Sequence, residues 1–267
     1  MTAGGPRAWV EQIMGMPISI HVRGPRVDGA AAAVEAVFDE LREMDATFST
    51  YRDDSEISRL RRGEFGLDAC GPAVREVAAL CEAARQRTGG SFDANLPAPD
   101  GRTAFDPTGL VKGWAAGHAA RHLDALAGHS YCLNAGGDVV IGGRDAGAAT
   151  WRVGVERPFH PDQLVAILEL SQGAVATSGR AQRGLHIVDP VTREPAAELP
   201  AGTVTGPSLL WADVLATAAF ARGAGAFDLI ARQEGYEGIV VDGAGEVSST
   251  PGFARYGLPA TADPQSR

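Results

Sequence analysis

The sequence predicts an α+β fold of two intimately joined lobes, with largely antiparallel sheets and flanking helices. Three observations predict it. Strand-like segments come in adjacent runs, above all over residues 130–177, so neighbours can pair as hairpins. Segments with helical spacing lie between those runs instead of alternating regularly with single strands. At 267 residues and 45% hydrophobic, the chain is long enough to bury a full core. No repeat or linker cuts it, so residues 1–258 read as a single domain and 259–267 as a disordered tail.

Taken in order, residues 9–22 are strand material, with Ile18, Ile20 and Val22 alternating against Ser19 and His21. Met14-Gly15-Met16-Pro17 interrupts that run, Gly15 permitting a close approach or a bulge. Asp28 is placed to cap a helix carrying Val34, Val37, Phe38, Leu41 and Met44. A polar loop over residues 48–60 leads into a short helix. Gly71-Pro72 starts a second long helix, carrying Val74, Val77 and Cys81, and Thr88-Gly89-Gly90 ends it. Thr108 and Gly109 open a helix expected to run on through Leu123 and Leu126. Residues 130–143 form a hairpin about Gly136-Gly137, and strands follow at 151–155, 165–170 and 173–177. Residues 184–190 add a short strand. Ser208 is the expected cap of a helix over 209–222, and residues 238–242 give a late strand.

Composition excludes several classes of function. A net charge of −9 and no basic stripe argue against nucleic acid as a partner. No stretch approaches the length of an apolar span, so membrane insertion is not expected. The first residues lack an apolar leader core, and Cys70, Cys81 and Cys132 are odd in number and unclustered. Together these predict buried thiols in a reducing, cytoplasmic setting.

Two constellations carry candidate chemistry. Lys112 is the sole lysine among 24 basic residues, and it lies one turn into the helix opened by Thr108. Lysine is a compact point charge and arginine a planar fork, so the two are not interchangeable at a tight anion site. Chance retention on a solvated face is the competing account. Asp213 and Thr217 are four apart on an otherwise apolar helix and share one face. A carboxylate there is costly unless paired or bound to metal, and oxygen donors suit a hard cation such as Mg²⁺. The same residues also fit a structural role, Asp213 beside the positive helix end and Thr217 bonded to its own helix. His186 on an apolar strand reads first as a hydrogen-bonded structural residue. His118 and His122 share a helix face without an evident third metal ligand. Gly136-Gly137-Asp138 is a turn signal before it is a phosphate nest. Ser178, His186 and Asp189 form a triad on paper only, since no nucleophile elbow accompanies them. There is no Walker A or GxGxxG motif.

Eight segments in order resemble the ApbE family of FAD:protein FMN transferases. They are Met14-Gly15-Met16-Pro17, residues 48–60, residues 88–93, residues 106–113, residues 134–138, Ser178-Gly179, residues 186–190, and Ala212-Asp213 with Thr217-Ala218. The resemblance implies FAD as substrate, Mg²⁺ as cofactor, and transfer of FMN to a threonine hydroxyl of an acceptor protein with release of AMP. Some relatives instead hydrolyse FAD to FMN and AMP, and a non-catalytic flavin-binding protein would keep the same pocket. Carried over, the resemblance places Gly109 (through its carbonyl), Asp213 and Thr217 on the metal. It places Met14, Tyr51, Ser91, Phe92, Asp93, Asp106, Lys112 and Val188 around FAD, with Asp213 and His186 as the catalytic pair. Tyr51 offers a ring face to the flavin or adenine, and His186 a base for the acceptor hydroxyl. The chain departs from the family in the short span from Asp93 to Asp106, 13 positions, where many members carry a long insertion.

Overall fold

Among the described residues, two-residue turns at Met14-Gly15, Gly136-Gly137 and Pro158-Phe159 each join a pair of adjacent strands, and the sheets are built on such hairpins. The computed structural model describes residues 6–24, 27–97, 103–143, 150–179 and 201–259. Thirteen strands are found there. They are β1 (Arg7–Ile13), β2 (Met16–Arg23), β3 (Asn95–Pro97), β4 (Thr103–Phe105), β5 (Ser130–Ala135), β6 (Asp138–Gly143), β7 (Trp151–Arg157), β8 (His160–Leu170), β9 (Gly173–Gly179), β10 (Ala201–Gly206), β11 (Glu237–Val241), β12 (Val247–Ser249) and β13 (Gly257–Pro259). An eight-stranded sheet runs β1-β2-β5-β6-β9-β10-β11-β12, a three-stranded sheet β13-β8-β7, and β3 pairs with β4. Every pairing among the described residues is antiparallel, as the sequence predicts.

The helices are α1 (Ala31–Phe48), α2 (Glu56–Arg61), α3 (Pro72–Arg87), α4 (Thr108–Ala119), α5 (Arg121–Asp124), α6 (Leu209–Arg222) and α7 (Ala226–Ala231). Period-two alternation divides the large sheet into two faces. Ile18, Ile20, Leu133, Ala174, Ala176 and Val204 join the helical core with Leu110, Leu215 and Phe220. Val139, Ile141, Val175, Ile239 and Val241 instead meet Trp151, Val165 and Leu168 of the three-stranded sheet. Each fully buried Leu or Ile contributes about 1.5–3 kcal/mol by leaving water. No described helix is long and apolar enough to cross a membrane.

The structure corrects several element boundaries. Asp28 lies inside a 3₁₀ turn, Val27–Ala30, and α1 begins after Ala30 without a side-chain cap. The helix opened by Thr108 stops at Ala119, so Leu123 belongs to the separate turn α5 and Leu126 to neither. Ser208 occupies the cap position of α6, but its side chain makes no capping bond. Pro259, expected in the tail, ends β13 and pairs with Ala166 of β8. The short strand expected over 184–190 lies outside the described residues. Cys70 and Cys81 are buried free thiols as expected, while Cys132 is only half-buried.

One crossing governs where the helices sit. On α4, Gly113 faces α6 so closely that a Cβ there would lie 2.8 Å from Asp213 Cβ and 3.0 Å from the Leu209 carbonyl oxygen. One turn later, a Cβ on Gly117 would meet Leu209 Cβ at an ordinary 3.9 Å. Gly113→Ala is therefore expected to destabilise by about 1–3 kcal/mol through overpacking. Gly117→Ala should be neutral or gain up to ~1 kcal/mol of helix propensity. Urea unfolding of the two variants checks this, and equal midpoints would remove the close crossing.

Candidate active site

Several of the sequence-selected residues lie about the N-terminal half of α4, which three local devices hold in place. Asp106 Oδ1 accepts from the Thr108 N–H (3.1 Å) and hydroxyl (2.7 Å), satisfying donors that a helix start leaves open. Its other oxygen pairs with Arg61 at 3.5 Å. The Asp106 N–H donates to the Ala94 carbonyl at 2.7 Å, tying the helix start to the preceding segment. That segment is itself braced, since Thr88 Oγ1 accepts from the Phe92 N–H at 3.0 Å. The buried Phe92 ring then lies under Gly109, 3.3 Å from where a Cβ would be. Asp93 accepts from the Asn95 N–H at 2.8 Å. Ser91 is half-buried beside it.

Lys112 reaches from α4 toward the end of the large sheet. Its ammonium contacts Asp138 Oδ2 directly and lies 3.5 Å from Asp213 Oδ1, with side-chain exposures of 16% for Lys112, 2% for Asp138 and 4% for Asp213. Asp138 Oδ1 accepts the Thr177 N–H at 3.1 Å. Asp213 Oδ2 accepts from Gly113 N–H at 3.1 Å, the donor that a regular helix directs to the Gly109 carbonyl. The Thr217 hydroxyl lies 3.1 Å from Ser178 Oγ on β9. Lys112, Asp213, Thr217 and the Gly109 turn are thus brought together, and Asp138 and Ser178 complete the cluster.

Two tight turns border this end of the sheet. Ile13 pairs with Met16 across Met14 (φ 55°) and Gly15 (φ 71°), and Ala135 pairs with Asp138 across Gly136 (φ 59°) and Gly137 (φ 101°). Positive φ at both central positions suits a right-twisted hairpin. At Met14 it is a strained conformation for a residue with a Cβ, a kind of strain that concentrates at functional sites. The Gly136 N–H donates to the Pro17 carbonyl at 3.1 Å, locking the turns side by side. Gly179, the last described residue of β9, pairs with Ala201, the first of β10, at this same end.

Other selected residues stand apart. Tyr51 is 98% exposed and does not join the cluster. His186 and Val188 lie outside the described residues, as does Asp189 of the paper triad, whose Ser178 is engaged with Thr217. His118 and His122 both address Glu40 of α1, the latter at 2.6 Å, so the carboxylate bridges the rings. No group of three His, Cys, Asp or Glu side chains is arranged for a metal ion among the described residues. A cavity of about 1020 Å³ opens at the opposite end of the sheet, between Gly143, Gly173, Ser208 and Arg255, and touches the cluster only through Gly113. A second, of about 350 Å³, lies beside Arg61, Asn95 and Phe105. Cys81 lines it, its thiol pushed up to about 12 by burial and then by the Asp106 and Asp93 carboxylates.

Sequence reasoning noted Asp138 in a turn, Ser178 in a paper triad and Gly113 at the end of a motif, but gave none of them a place in this cluster. Asp138 had a local signal, since alternation from Val140 puts it on the helical face of the sheet. Gly113 and Gly117 had another, the four-residue spacing of a close helix contact. Removing one partner of a buried ion pair strands the other, so Lys112→Met is expected to cost about 3 kcal/mol or more. Lys112→Met/Asp138→Asn should recover part of that loss. Thermal or urea unfolding of the single and double variants checks this, and a double variant no more stable than Lys112→Met would break the pairing.

Comparisons with known proteins bear on the family and the fold. The sequence model of the ApbE family matches residues 14–98 and 94–240. A FAD:protein FMN transferase of Klebsiella pneumoniae is 28% identical over 151 residues, covering 53% of this chain and 43% of that protein. One of Vibrio cholerae is 30% identical over 128 residues, covering 44% and 38%. The matched region thus spans less than half the length of these curated relatives. Among solved structures, the ApbE protein of Thermotoga maritima superimposes with a TM-score of 0.82 at 19% identity, over 95% of this chain and 99% of that one. Flavin transferase ApbE of Vibrio cholerae gives 0.79 at 22% identity, over 96% and 100%. These structures share the fold, and the family's sequence pattern runs through the elements that carry Lys112, Asp138 and Asp213; the chain belongs to the ApbE family.

Proposed function

We propose that the chain transfers FMN from FAD to a threonine hydroxyl of an acceptor protein and releases AMP. The observation that carries this reading is the buried Asp213 beside the Lys112 ammonium, with the half-buried Thr217 one turn later on α6. Their donors are a carboxylate and a hydroxyl, with the Gly109 carbonyl one turn before Gly113. That hard-oxygen set fits Mg²⁺, which needs few protein ligands and keeps several waters. Asp213, Thr217 and Gly109 would hold the ion. When bound, it would supply charge neutralisation to the pyrophosphate and to the departing AMP.

The chain's own residues do the rest. In the transfer, the threonine oxygen forms a bond to the FMN phosphorus while the pyrophosphate bridge breaks. The bridging oxygen leaves with AMP, and the hydroxyl proton passes to a base. Such attack depends more on positioning and charge than on covalent help from the protein. Lys112 adds a fixed positive charge at the cluster. The Met14 turn and the braced segment around Phe92, with Ser91, Asp93 and Asp106 beside it, supply walls for FAD. Tyr51, fully exposed, is free to lay its ring on the flavin or adenine, with Val188 as a further contact. His186 is the proposed acceptor of the hydroxyl proton.

Incubation with FAD and Mg²⁺, with and without threonine-bearing acceptor proteins, tests the reading through AMP release. AMP appearing only with acceptor, together with flavin covalently bound to it, is the expected result. AMP without acceptor would indicate FAD hydrolysis, and intact bound FAD a binding protein. Asp213→Ala should lower Mg²⁺-dependent AMP release roughly 100-fold or more, a loss of about 3 kcal/mol of charge stabilisation. A folded Asp213→Ala protein with wild-type release would take Asp213 out of the metal site. Lys112→Arg should weaken FAD binding or turnover by more than the ~0.5 kcal/mol of an ordinary surface change. Calorimetry with FAD and the AMP assay read both effects.

A further inference from the structure

One lysine stands between two buried carboxylates, and the two are not equivalent. Asp138 is in direct contact with the Lys112 ammonium, whereas Asp213 Oδ1 lies 3.5 Å from it. Asp138 is also fixed from behind, its second oxygen accepting the Thr177 N–H of β9 at 3.1 Å. It projects from the first residue of β6, directly after the Gly136-Gly137 turn, so its position follows from the sheet and not from a mobile side chain. Asp213 has its second oxygen on the Gly113 N–H. A buried carboxylate that is fully paired to an ammonium is a poor ligand for a divalent cation, because the cation must displace or oppose that positive charge.

We propose that Asp138 is a positioning residue that draws the Lys112 charge toward the sheet, leaving the Asp213 carboxylate able to take a divalent cation. The proposal rests on the reading of Asp213 as the cation ligand. Without Asp138, the ammonium has Asp213 as its nearest carboxylate in the cluster and competes there with the ion. Asp138 thus acts on the ion through Lys112, in the manner of outer partners that orient and charge-tune a metal's ligands.

Binding of Mn²⁺ to the full chain without FAD, followed by electron paramagnetic resonance, tests this apart from turnover. The wild-type chain is expected to bind Mn²⁺, and Asp138→Asn to bind it about 10- to 100-fold more weakly. Lys112→Met/Asp138→Asn, which removes the competing charge as well, is expected to return to within a few-fold of wild type. A merely structural role for Asp138 would not give that recovery. Should Asp138→Asn fail to fold, the double variant, which strands no charge of this pair, still reads the competition. Wild-type affinity in Asp138→Asn would overturn the proposal and leave Asp213 as ligand. Equal weakness in the folded single and double variants would overturn it too. No Mn²⁺ binding by the wild-type chain would instead remove the cation site itself, and the proposal with it.

Discussion

The close crossing of α4 over α6 at Gly113 is the constraint on which the rest of the structure depends. With no Cβ at that position, the two helices approach until a backbone N–H meets a carboxylate, Gly113 to Asp213. The contact fixes the rotation of both helices. Lys112, one residue earlier, then points at the end of the sheet, and Thr217, one turn after Asp213, reaches β9 through Ser178. A larger residue at 113 would part the helices and separate all four groups at once. The crossing is therefore a functional constraint expressed as packing.

The large sheet supplies the opposing wall, and its alternation decides which side chains take part. The helical face collects Ile18, Leu133, Ala176 and Asp138, while the other face collects Val139, Val175 and Ile239 under the three-stranded sheet. Asp138 is thus the one acid that β6 presents to the helices, at the strand's first position. The paired turns at Met14-Gly15 and Gly136-Gly137 finish the same end of the sheet, and their strained or glycine-dependent geometry holds the backbone close together there. Rigid elements from both sides meet at a small cluster of polar groups, an arrangement that gives more precise geometry than a site built on loops alone.

Local features of this design were legible in the sequence, and non-local ones were not. The 130–143 hairpin was visible because alternation and a two-glycine turn are short-range signals. The bounds of α3 were visible because Gly71-Pro72 and Thr88-Gly89-Gly90 punctuate it. Asp213 and Thr217 were visible as a pair because helical periodicity puts them on one face. By contrast, β10 gave no signal, since all six of its residues are buried and small or β-branched, without polar alternation. Its threonines look like surface residues until their partners are known: Thr203 lies 2.9 Å from Thr177 Oγ1, and Thr205 donates to the Ala174 carbonyl at 3.0 Å. For Asp138, alternation gives the face of the sheet, but its pairing was hidden because the partner is 26 residues away on another element.

The single lysine gains a physical reason from this geometry. Elsewhere the chain uses arginine where a plane is useful, stacking Arg23 3.7 Å from the Trp151 ring centre and Arg87 4.4 Å from that of Trp211. On the surface, Arg42 spans Glu11, Glu35 and Asp39 with its fork. Those settings reward width and several donors held in one plane. The space between Asp138 and Asp213 rewards the opposite. It is buried, bounded by a strand on one side and a helix on the other, and needs a charge small enough to touch one carboxylate while staying within reach of the second. A guanidinium placed there would extend its plane into the Gly113 crossing or the Asp138 turn. The ammonium fits because it is a point charge on a flexible stem, so the composition bias toward arginine stops where the packing leaves no room for it.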